Sequence, residues 1–471
     1  MFKQVEGIDY ICNFYRYNLF DKKSKHYLLT IDSGAFVFLN SKEFRELKKG
    51  IIHSEPTYNL LKNKGIILTL DNLKQVQKQI GTRYSFLQNG CSLHIVIPTS
   101  RCNLGCDYCF ADPSEIHASK TDNDMSEKTA KDTIKFILNS PSKAITIEFT
   151  GGEPLARFDL VKTMVEYANT LNHSKKKDLR FSIVTNLSLM NNEIMDFLII
   201  NHFSICTSLD GPKELHNKHR MIHANKSREI GTWDTVMHWI KTINQEYIQR
   251  KLSKKVYALM TITKDSLQYS KEIIDTYLSL DIEIVDIRAM MFVGRITNPK
   301  NEKSLYTYSE FVAFYEKCLS YISELQEKGI EIEDRMTQLY KKKILSGKPT
   351  YHTDYESPWG AGISVLTYHS NGSIYCCHEA LGNEDFLLGS VKDNWSDLFS
   401  TKEMAFTIMS SMLESNPTCD RCVYKPYCST SPIENISSQN DVNFNPSKTM
   451  RHHETLFHAK REFKKLLENG I

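Results

Sequence analysis

The sequence predicts an α/β fold: a partial (β/α)6 TIM-like barrel, preceded by a small N-terminal α+β module and followed by a C-terminal cysteine-containing domain. Between residues 92 and 291, short apolar segments alternate with longer amphipathic ones, which is the pattern of βαβ units around a parallel sheet. Sites in such folds lie at the C-terminal ends of the strands. The predicted strands cover residues 93–98, 144–150, 179–186, 203–209, 256–263 and 282–290.

Amphipathic stretches between these strands predict helices over residues 127–139, 159–171 and 193–201. Asp124 and Glu127 form a D-x-x-E capping signal for the first of them. Beyond the barrel, apolar residues at three- and four-residue spacing predict a helix over residues 308–329, with Cys318 in the core.

The N-terminal region has a different pattern. It predicts a hairpin of strands 27–30 and 35–39, two helices over 41–49 and 57–64, and a last strand over 65–70. We therefore divide the chain into a small module (1–88), the barrel (89–300), a helical connector (301–350) and the cysteine-containing domain (351–471).

Composition limits the classes of function. The chain has 471 residues, 41% hydrophobic and 24% charged, as in ordinary globular proteins. A net charge of +3 is too small to indicate nucleic acid or membrane partners. No apolar run approaches the ~18 residues of a membrane span, and the N-terminus lacks the features of a signal peptide. Twelve cysteines in such a chain predict a cytoplasmic protein with metal-binding or catalytic thiols.

Three cysteines directly follow the first predicted strand. Cys102, Cys106 and Cys109 have C-x3-C-x2-C spacing, with no fourth cysteine nearby. Iron–sulfur clusters and structural zinc normally take four protein ligands. Three thiolates predict a cluster with one iron open to another ligand; the alternative is a zinc loop that borrows a distant histidine.

Further motifs follow the next three strands. Gly151-Gly152-Glu153-Pro154 ends the second, Thr185-Asn186 the third, and Ser208-Leu-Asp210-Gly-Pro the fourth, with Arg220 after it. Together with the cysteine motif, this series resembles the radical S-adenosylmethionine (SAM) enzymes over residues 90–295.

The resemblance implies a role for each of these residues. Cys102, Cys106 and Cys109 would hold a 4Fe–4S cluster whose open iron chelates the amino and carboxylate groups of SAM. Asp210 would be a candidate proton acceptor, although Ser208 and Asp210 have an alternative role in local turn bonding. The implied SAM contacts are Tyr108 near the adenine, Gly152 and Glu153 at the amino group with Gly151 in the same segment, and Asn186, Ser208 and Arg220 at the ribose or carboxylate.

The tail resembles the SPASM (twitch-like) extension of peptide-modifying members. Cys419-x2-Cys422-x5-Cys428 matches its central signature, and the segment from Gly372 to Cys376 matches the hairpin before it. Trp359 and Pro432 stand where the family often has cysteines. Five tail cysteines, including Cys376, cannot hold two all-cysteine clusters. One auxiliary cluster on Cys419, Cys422 and Cys428, with His452 or His453 as the fourth ligand, is predicted; zinc or no metal are the alternatives.

Within the family, the motifs are most similar to the maturase of the His-Xaa-Ser repeat peptide system. This implies an enzyme that reductively cleaves SAM to a 5′-deoxyadenosyl radical, which abstracts hydrogen from a ribosomally made precursor peptide. The implied partners are that peptide, a low-potential electron donor such as flavodoxin or ferredoxin, and a paired second maturase. The N-terminal module would recognise a leader peptide by strand addition.

Two other functions stay open at this point. The first is a radical SAM enzyme acting on a sulfatase-type protein or a small molecule. The second is a non-catalytic peptide-binding protein of the same fold.

Several residues are predicted to be structural. Cys206 would point into the barrel as a small hydrophobe, and Cys12 and Cys91 would also be packing residues. The three histidines after Asp210 would lie in a solvated loop: His216, His219 and His223.

Overall fold

The N-terminal region folds into two small sheets and three helices. The computed structural model describes residues 3–5, 8–225, 228–350, 352–442 and 444–470. The predicted hairpin is confirmed, because β4 and β5 pair antiparallel and β3 adds to β4. The elements are β1 Lys3–Val5, β2 Ile8–Cys12, β3 Arg16–Asp21, β4 His26–Thr30, β5 Phe36–Asn40, α1 Ser41–Lys49, α2 Glu55–Asn63, β6 Ile67–Leu68 and α3 Leu73–Arg83.

The barrel region alternates strands and helices, as predicted. Its strands are β7 Leu93–Thr99, β8 Arg101–Cys102, β9 Ser114–Glu115, β10 Ala144–Gly151, β11 Asp178–Thr185, β12 Ser204–Ser208, β13 Met221–Asn225, β14 Arg228–Gly231 and β15 Tyr257–Leu259. Its helices are α4 Lys120–Asn123, α5 Glu127–Ile137, α6 Phe158–Lys175, α7 Asn192–Ile200, α8 Lys213–His219, α9 Trp233–Gln249 and α10 Ser270–Leu278.

The rest of the chain consists mainly of helices and one short meander. Its strands are β16 Ile284–Val285, β17 Glu333–Asp334, β18 Val365–Tyr368, β19 Ser373–Tyr375 and β20 Leu387–Ser390. Its helices are α11 Tyr308–Glu327, α12 Arg335–Ser346, α13 Lys402–Ser411, α14 Pro417–Asp420, α15 Pro432–Gln439 and α16 Met450–Glu468.

The central sheet has the order β15-β12-β11-β10-β7-β18-β19-β20. The strands β7, β10, β11, β12 and β15 are parallel neighbours, which confirms the predicted α/β partial barrel. In β10, Ile145, Ile147 and Phe149 are fully buried and belong to the main core. Because side chains alternate along a strand, Glu148 points to the opposite face, into the barrel.

The sheet continues into the tail. Strand β18 pairs in parallel with the outer edge of β7, with Val365 opposite Leu93, and β19 and β20 follow antiparallel. One core accordingly extends from Cys91 to Ile433, and it contains the fully buried Cys318, as predicted.

Two local predictions are wrong. The sixth predicted strand does not join the central sheet: its observed part, β16, pairs with β17, a strand too short and polar to be predicted. The cap of α5 is Ser126, whose hydroxyl accepts from the backbone N–H of Thr129. Asp124 instead pairs with the guanidinium groups of Arg101 and Arg157, which bind its carboxylate more strongly than a helix N-terminus does.

The N-terminal sheet packs against the tail. Leu28 and Phe36 share a buried cluster with Tyr424, Tyr427 and Phe463. In the described ranges, no helix combines the length and apolar character needed to cross a membrane.

Candidate active site

A cavity of about 340 Å³, here called the upper cavity, opens at the C-terminal ends of the barrel strands. Four separate motifs meet there because parallel strands bring their C-terminal ends to one edge. Its walls include every cofactor-contacting residue predicted from sequence and the three cysteines of the C-x3-C-x2-C motif: Cys102, Cys106, Tyr108, Cys109, Gly151, Gly152, Glu153, Asn186, Ser208 and Arg220.

The cysteine loop between β8 and β9 is anchored by polar contacts on both sides. The guanidinium group of Arg101 lies 2.8 Å from the carboxylate of Asp124. On the other side, Asp107 accepts a hydrogen bond of 2.7 Å from the hydroxyl of Ser304 and lies 3.1 Å from Nδ1 of His219. These contacts fix the loop before any ligand binds.

The histidines after Asp210 correct one prediction. His216 and His219 are buried in helix α8, not solvated, because Pro212 starts a helix whose i, i+3 face turns toward the barrel. Nδ1 of His216 accepts from the backbone N–H of Asp210 at 3.4 Å, and burial lowers its pKa to about 4. The side chain of His223 lies outside the described part of the chain.

The three thiols fit a ligand that brings positive charge. Burial raises the pKa of Cys102 and Cys109 and brings that of Cys106 to about 12. Thiolates at these positions therefore need a compensating cation, and the irons of a cluster would provide it. Within the described residues, no three His, Cys, Asp or Glu side chains form a group that could hold a single metal ion.

The glycine pair lets two strands approach closely. A Cβ at Gly152 would lie 2.2 Å from the carbonyl oxygen of Arg101, which is part of the backbone leading to Cys102. Gly151 has φ of 121°, a conformation that side chains rarely adopt. No larger residue fits at Gly152 without moving the cysteine loop.

Glu153 is a fully enclosed carboxylate. It accepts hydrogen bonds from the hydroxyl of Thr185 at 2.7 Å and from the backbone N–H groups of Asn186 at 2.8 Å and Leu155 at 3.0 Å. Burial outweighs these bonds and raises its pKa to about 7. A positively charged ligand group beside it would favour the ionised form.

Asn186 and Ser208 lie on neighbouring strand ends. The amide nitrogen of Asn186 lies 3.1 Å from the side-chain oxygen of Asn103, in the cysteine loop, and 3.8 Å from the sulfur of Cys102. Ser208 ends β12 and also lines the upper cavity.

Tyr108, Asp210 and Arg220 form a buried network. Nε and Nη2 of Arg220 donate to the two carboxylate oxygens of Asp210 at 2.8 and 3.0 Å, and the hydroxyl of Tyr108 also donates to Asp210. The backbone N–H of Thr261 adds a further bond at 3.1 Å. Burial alone would raise the pKa of Asp210, but Arg220 overrides it and keeps it below the usual range. The carboxylate therefore does not serve the local turn.

Other residues at the cavity were missed by sequence reasoning. Glu148, Arg288, His378 and Glu379 also line it. The ring of His378 packs edge-on against Phe110, with 4.8 Å between ring centres, and burial lowers its pKa to about 4. A signal existed for Glu148, the single charge in the otherwise apolar and small-residue strand 144–151. His378 and Glu379 come from the tail and had no such signal.

The tail cysteines fall into two groups. Cys419 and Cys428 share a small cluster with Leu413 and Phe444, and Cys422 lies close enough to contribute to raising the pKa of Cys419, after burial and Cys428. Cys376 belongs to the main core instead, with its sulfur 3.9 Å from that of Cys377.

The two candidate histidines lie at the start of α16. The ring of His453 stacks on Tyr308 at 3.8 Å between centres, and its Nε2 is 2.7 Å from the carbonyl oxygen of Ser447. His452 lies beside His453. These contacts do not include the cysteines of the tail.

Comparisons with known proteins agree with this geometry. A family model described as the Radical SAM superfamily matches residues 96–277. An uncharacterized protein of Methanocaldococcus jannaschii is 29% identical over 193 residues, 41% of this chain and 60% of that relative, so the chain spans less than two thirds of its length. A cysteine-type anaerobic sulfatase-maturating enzyme of Clostridium novyi is 24% identical over 72% of this chain and 86% of that enzyme.

Solved structures share the fold. The enzyme anSMEcpe with bound SAM superposes with a TM-score of 0.65 at 20% identity, covering 80% of this chain and 98% of that one. SuiB of Streptococcus suis bound to its precursor peptide SuiA gives a TM-score of 0.54 at 14% identity, covering 92% of this chain and 98% of that one.

The family match also confirms the two predicted cofactors of the barrel, SAM and a 4Fe–4S cluster, because they define this superfamily. Residues 96–277 therefore match the radical SAM superfamily, and this similarity indicates an enzyme.

Proposed function

We propose that this protein is a radical SAM peptide maturase that modifies a ribosomally made precursor. The observation that carries the proposal is the convergence of four motifs on one cavity: the three thiols, the glycine pair with its buried carboxylate, Asn186, and Ser208 with the buried Arg220. We further propose a precursor of the His-Xaa-Ser repeat type, which rests on the motif resemblance.

Cys102, Cys106 and Cys109 would hold the cluster, and Gly151, Gly152 and Glu153 would receive the amino group of SAM. With both cofactors bound and an external donor supplying one electron, this site would provide a 5′-deoxyadenosyl radical for hydrogen abstraction from the substrate. The chain's own contribution is to fix the cysteine loop, bring the glycine edge close to it, and place the ionisable Glu153 beside a cationic group.

We assign Asp210 a positioning role instead of proton transfer. Its carboxylate is occupied by Arg220, Tyr108 and Thr261, and its pKa is held below the usual range. Such a group is a poor base. It orients Arg220 and Tyr108 toward the cavity, where Arg220 together with Asn186 and Ser208 would bind the ribose or carboxylate of SAM.

For the tail we propose one auxiliary iron–sulfur cluster on Cys419, Cys422 and Cys428. Support comes from their proximity, and from burial that raises the pKa of all three thiols. Cys376 is a candidate only if it moves out of the main core. His452 and His453 remain candidates for the fourth ligand.

For the N-terminal module we propose leader-peptide recognition at strand β3. Within the described residues β3 is an edge strand, and it exposes Tyr17 and Leu19. Unpaired edges accept extended peptides through backbone hydrogen bonds. Tyr17→Ser with Leu19→Ser should weaken precursor binding without changing SAM cleavage.

A second candidate is the modification of a cysteine or serine in a sulfatase-type protein. It is favoured by the similarity to the sulfatase-maturating enzyme of Clostridium novyi over 72% of this chain. It does not need a leader-binding module, so the β3 variant separates the two candidates.

The test is anaerobic reconstitution followed by reduction with a chemical reductant and, separately, with flavodoxin or ferredoxin. We expect methionine and 5′-deoxyadenosine from the wild type and none from Cys106→Ala. Mass spectrometry then compares a His-Xaa-Ser repeat precursor, a sulfatase-type cysteine peptide and a mixture that includes a paired second maturase. Failure of a cluster-loaded protein to cleave SAM would refute both candidates.

A further inference from the structure

A second cavity, here called the lower cavity, lies on the other side of the barrel and has a volume of about 610 Å³. Leu93, Ser204 and Tyr257 line it, and each begins a barrel strand, so it opens at the N-terminal ends. The two cavities adjoin through a shared ring of side chains: Ile95, Glu148, Val184, Leu259, Arg288 and Glu379.

The lower cavity is charged, whereas barrel interiors are usually filled by branched apolar side chains. Inside the barrel region it presents four carboxyl groups and two guanidinium groups, with Lys342 exposed at its rim. The six charged groups are Glu148, Asp286, Arg288, Arg335, Asp354 and Glu379.

Both arginines form ion pairs with the same carboxylate, that of Asp286. Nε of Arg288 and Nη1 of Arg335 lie 3.0 and 3.3 Å from Oδ2 of Asp286. Nη2 of Arg335 also contacts Nε2 of His352 at 3.0 Å. Oδ1 of Asp286 is buried and has no hydrogen-bond partner among the described residues.

The other three carboxyl groups interact with Arg288 only at longer range. In the described part of the chain, no Lys, Arg or His nitrogen lies within 4.0 Å of Glu148, Asp354 or Glu379. Glu148 accepts one bond, from Ser182 at 3.1 Å, and Asp354 accepts one from Thr353 at 3.1 Å. Burial raises the pKa of Glu148 and Glu379 by more than the nearby Arg288 lowers it, so both carry a buried charge that is only partly compensated. Burial would also raise the pKa of Asp354, but Arg288 and Arg451 keep it below the usual range.

We propose that the lower cavity binds a positively charged side chain, lysine or arginine, of the substrate peptide, with Glu148, Asp354 and Glu379 as its specificity-determining residues. The proposal rests on the proposed function, because it describes the peptide substrate of that enzyme. An anionic side chain would be repelled by three carboxyl groups, and it would find both arginines already paired with Asp286.

The carboxyl groups lie close to the upper cavity, where the reaction would take place. Glu148 precedes Gly151 by three residues on β10, which corresponds to roughly 10 Å along a strand. Glu148 and Glu379 border both cavities, so a cation held between them lies next to the reactive end. A positive charge at this depth fixes how far the substrate side chain enters.

The test uses small probes with the cluster-loaded enzyme and SAM, under anaerobic conditions and without reductant. Isothermal titration compares N-acetyl-lysine N-methylamide with its uncharged analogue N-acetyl-norleucine N-methylamide and with anionic N-acetyl-glutamate N-methylamide. We expect the lysine probe to bind at least tenfold more tightly than either of the others. Glu379→Gln and Glu148→Gln should each weaken it about tenfold, whereas the exposed Glu193→Gln should not.

Equal affinity for the three probes, tighter binding of the glutamate probe, or unchanged affinity in the glutamine variants would overturn the proposal. Asp354→Asn provides a second route if a glutamine variant fails to fold. Reductive SAM cleavage is measured separately: cation binding without cleavage contradicts the proposed function alone, and cleavage without cation preference contradicts this inference alone.

Discussion

Replacing Gly152 by alanine tests whether the glycine pair positions the cysteine loop. The added Cβ would lie 2.2 Å from the carbonyl oxygen of Arg101, and real Cβ contacts essentially never fall below 3.0 Å. The obstacle is backbone, so the strands must separate by about 0.8 Å or more. That movement also strains the 2.8 Å hydrogen bond from the N–H of Glu153 to the same oxygen.

Overpacking of this kind costs about 1–3 kcal/mol. If the strain acts on the cofactor-binding arrangement, SAM affinity should fall by roughly 5- to 150-fold. The assay combines urea unfolding of the metal-free protein, iron content per chain after anaerobic desalting, and SAM binding by titration. We expect the free energy of unfolding, the iron content and the SAM affinity all to decrease.

Gly81→Ala is the matched control. Gly81 lies inside helix α3, and a Cβ there meets nothing within 4 Å. Alanine should therefore stabilise the helix by about 0.5–1 kcal/mol and leave iron content and SAM affinity unchanged. A Gly152→Ala protein with wild-type iron content and SAM affinity would refute the reasoning.

Three further predictions concern single side chains. Glu153 has a pKa of about 7 in the folded protein, above its ordinary value of 4.5, so the protonated carboxyl stabilises the fold below pH 4.5 and this stabilisation is lost as the pH rises to 7. Relative to Glu153→Gln, the free energy of unfolding of the wild type should therefore fall by about 3 kcal/mol across that range. A difference between the two proteins that does not change with pH would contradict this. His219→Phe removes the contact to Asp107 and should lower iron retention, whereas the exposed His238→Phe should not. Arg16→Met removes the ion pairs with Asp32 and Asp420 that hold the N-terminal module against the cysteine segment. It should therefore speed alkylation of Cys419, Cys422 and Cys428 in the metal-free protein, measured by mass spectrometry. Arg45→Met, which removes only a contact within helix α1, should leave the rates unchanged.

Much of the barrel follows from the sequence because its strands are local and strongly apolar. The motifs at Cys102, Gly152 and Asn186 each follow a strand, and parallel strands bring such ends to one edge. The predictions from sequence failed where residues from distant parts of the chain bind a side chain that also has a local role. Asp124 carries a capping pattern, but two arginines bind its carboxylate instead.

The charged lower cavity depends on pairing between strands that are far apart in the sequence. The pairing of β18 with β7 brings Cys377 and Glu379 to a cavity whose other walls come from residues 93–288 and 335–365. No local pattern indicates that pairing, because β18 is short and follows a turn-rich stretch. Glu148 alone could have been recognised, as an isolated charge on an inward-facing strand position.

The N-terminal module contacts the very segment that carries the tail cysteines. Nη1 of Arg16 lies 2.8 Å from Asp32 and its Nη2 3.3 Å from Asp420, which directly follows Cys419. The hydroxyls of Thr30 and Tyr427 bond across to the carbonyl oxygens of Val423 and Gly34, at 2.7 and 2.9 Å.

Removing residues 1–84 would therefore expose this cysteine segment as well as delete the edge strand β3. A truncated chain that no longer modified its precursor could have lost leader recognition, the auxiliary site, or both. Point variants separate these outcomes: the β3 variant at Tyr17 and Leu19 leaves the contacts of Arg16 with Asp32 and Asp420 in place, whereas Arg16→Met leaves the two exposed side chains unchanged. If Arg16→Met alone abolished precursor binding, the module would have to act through the tail and not through its edge strand.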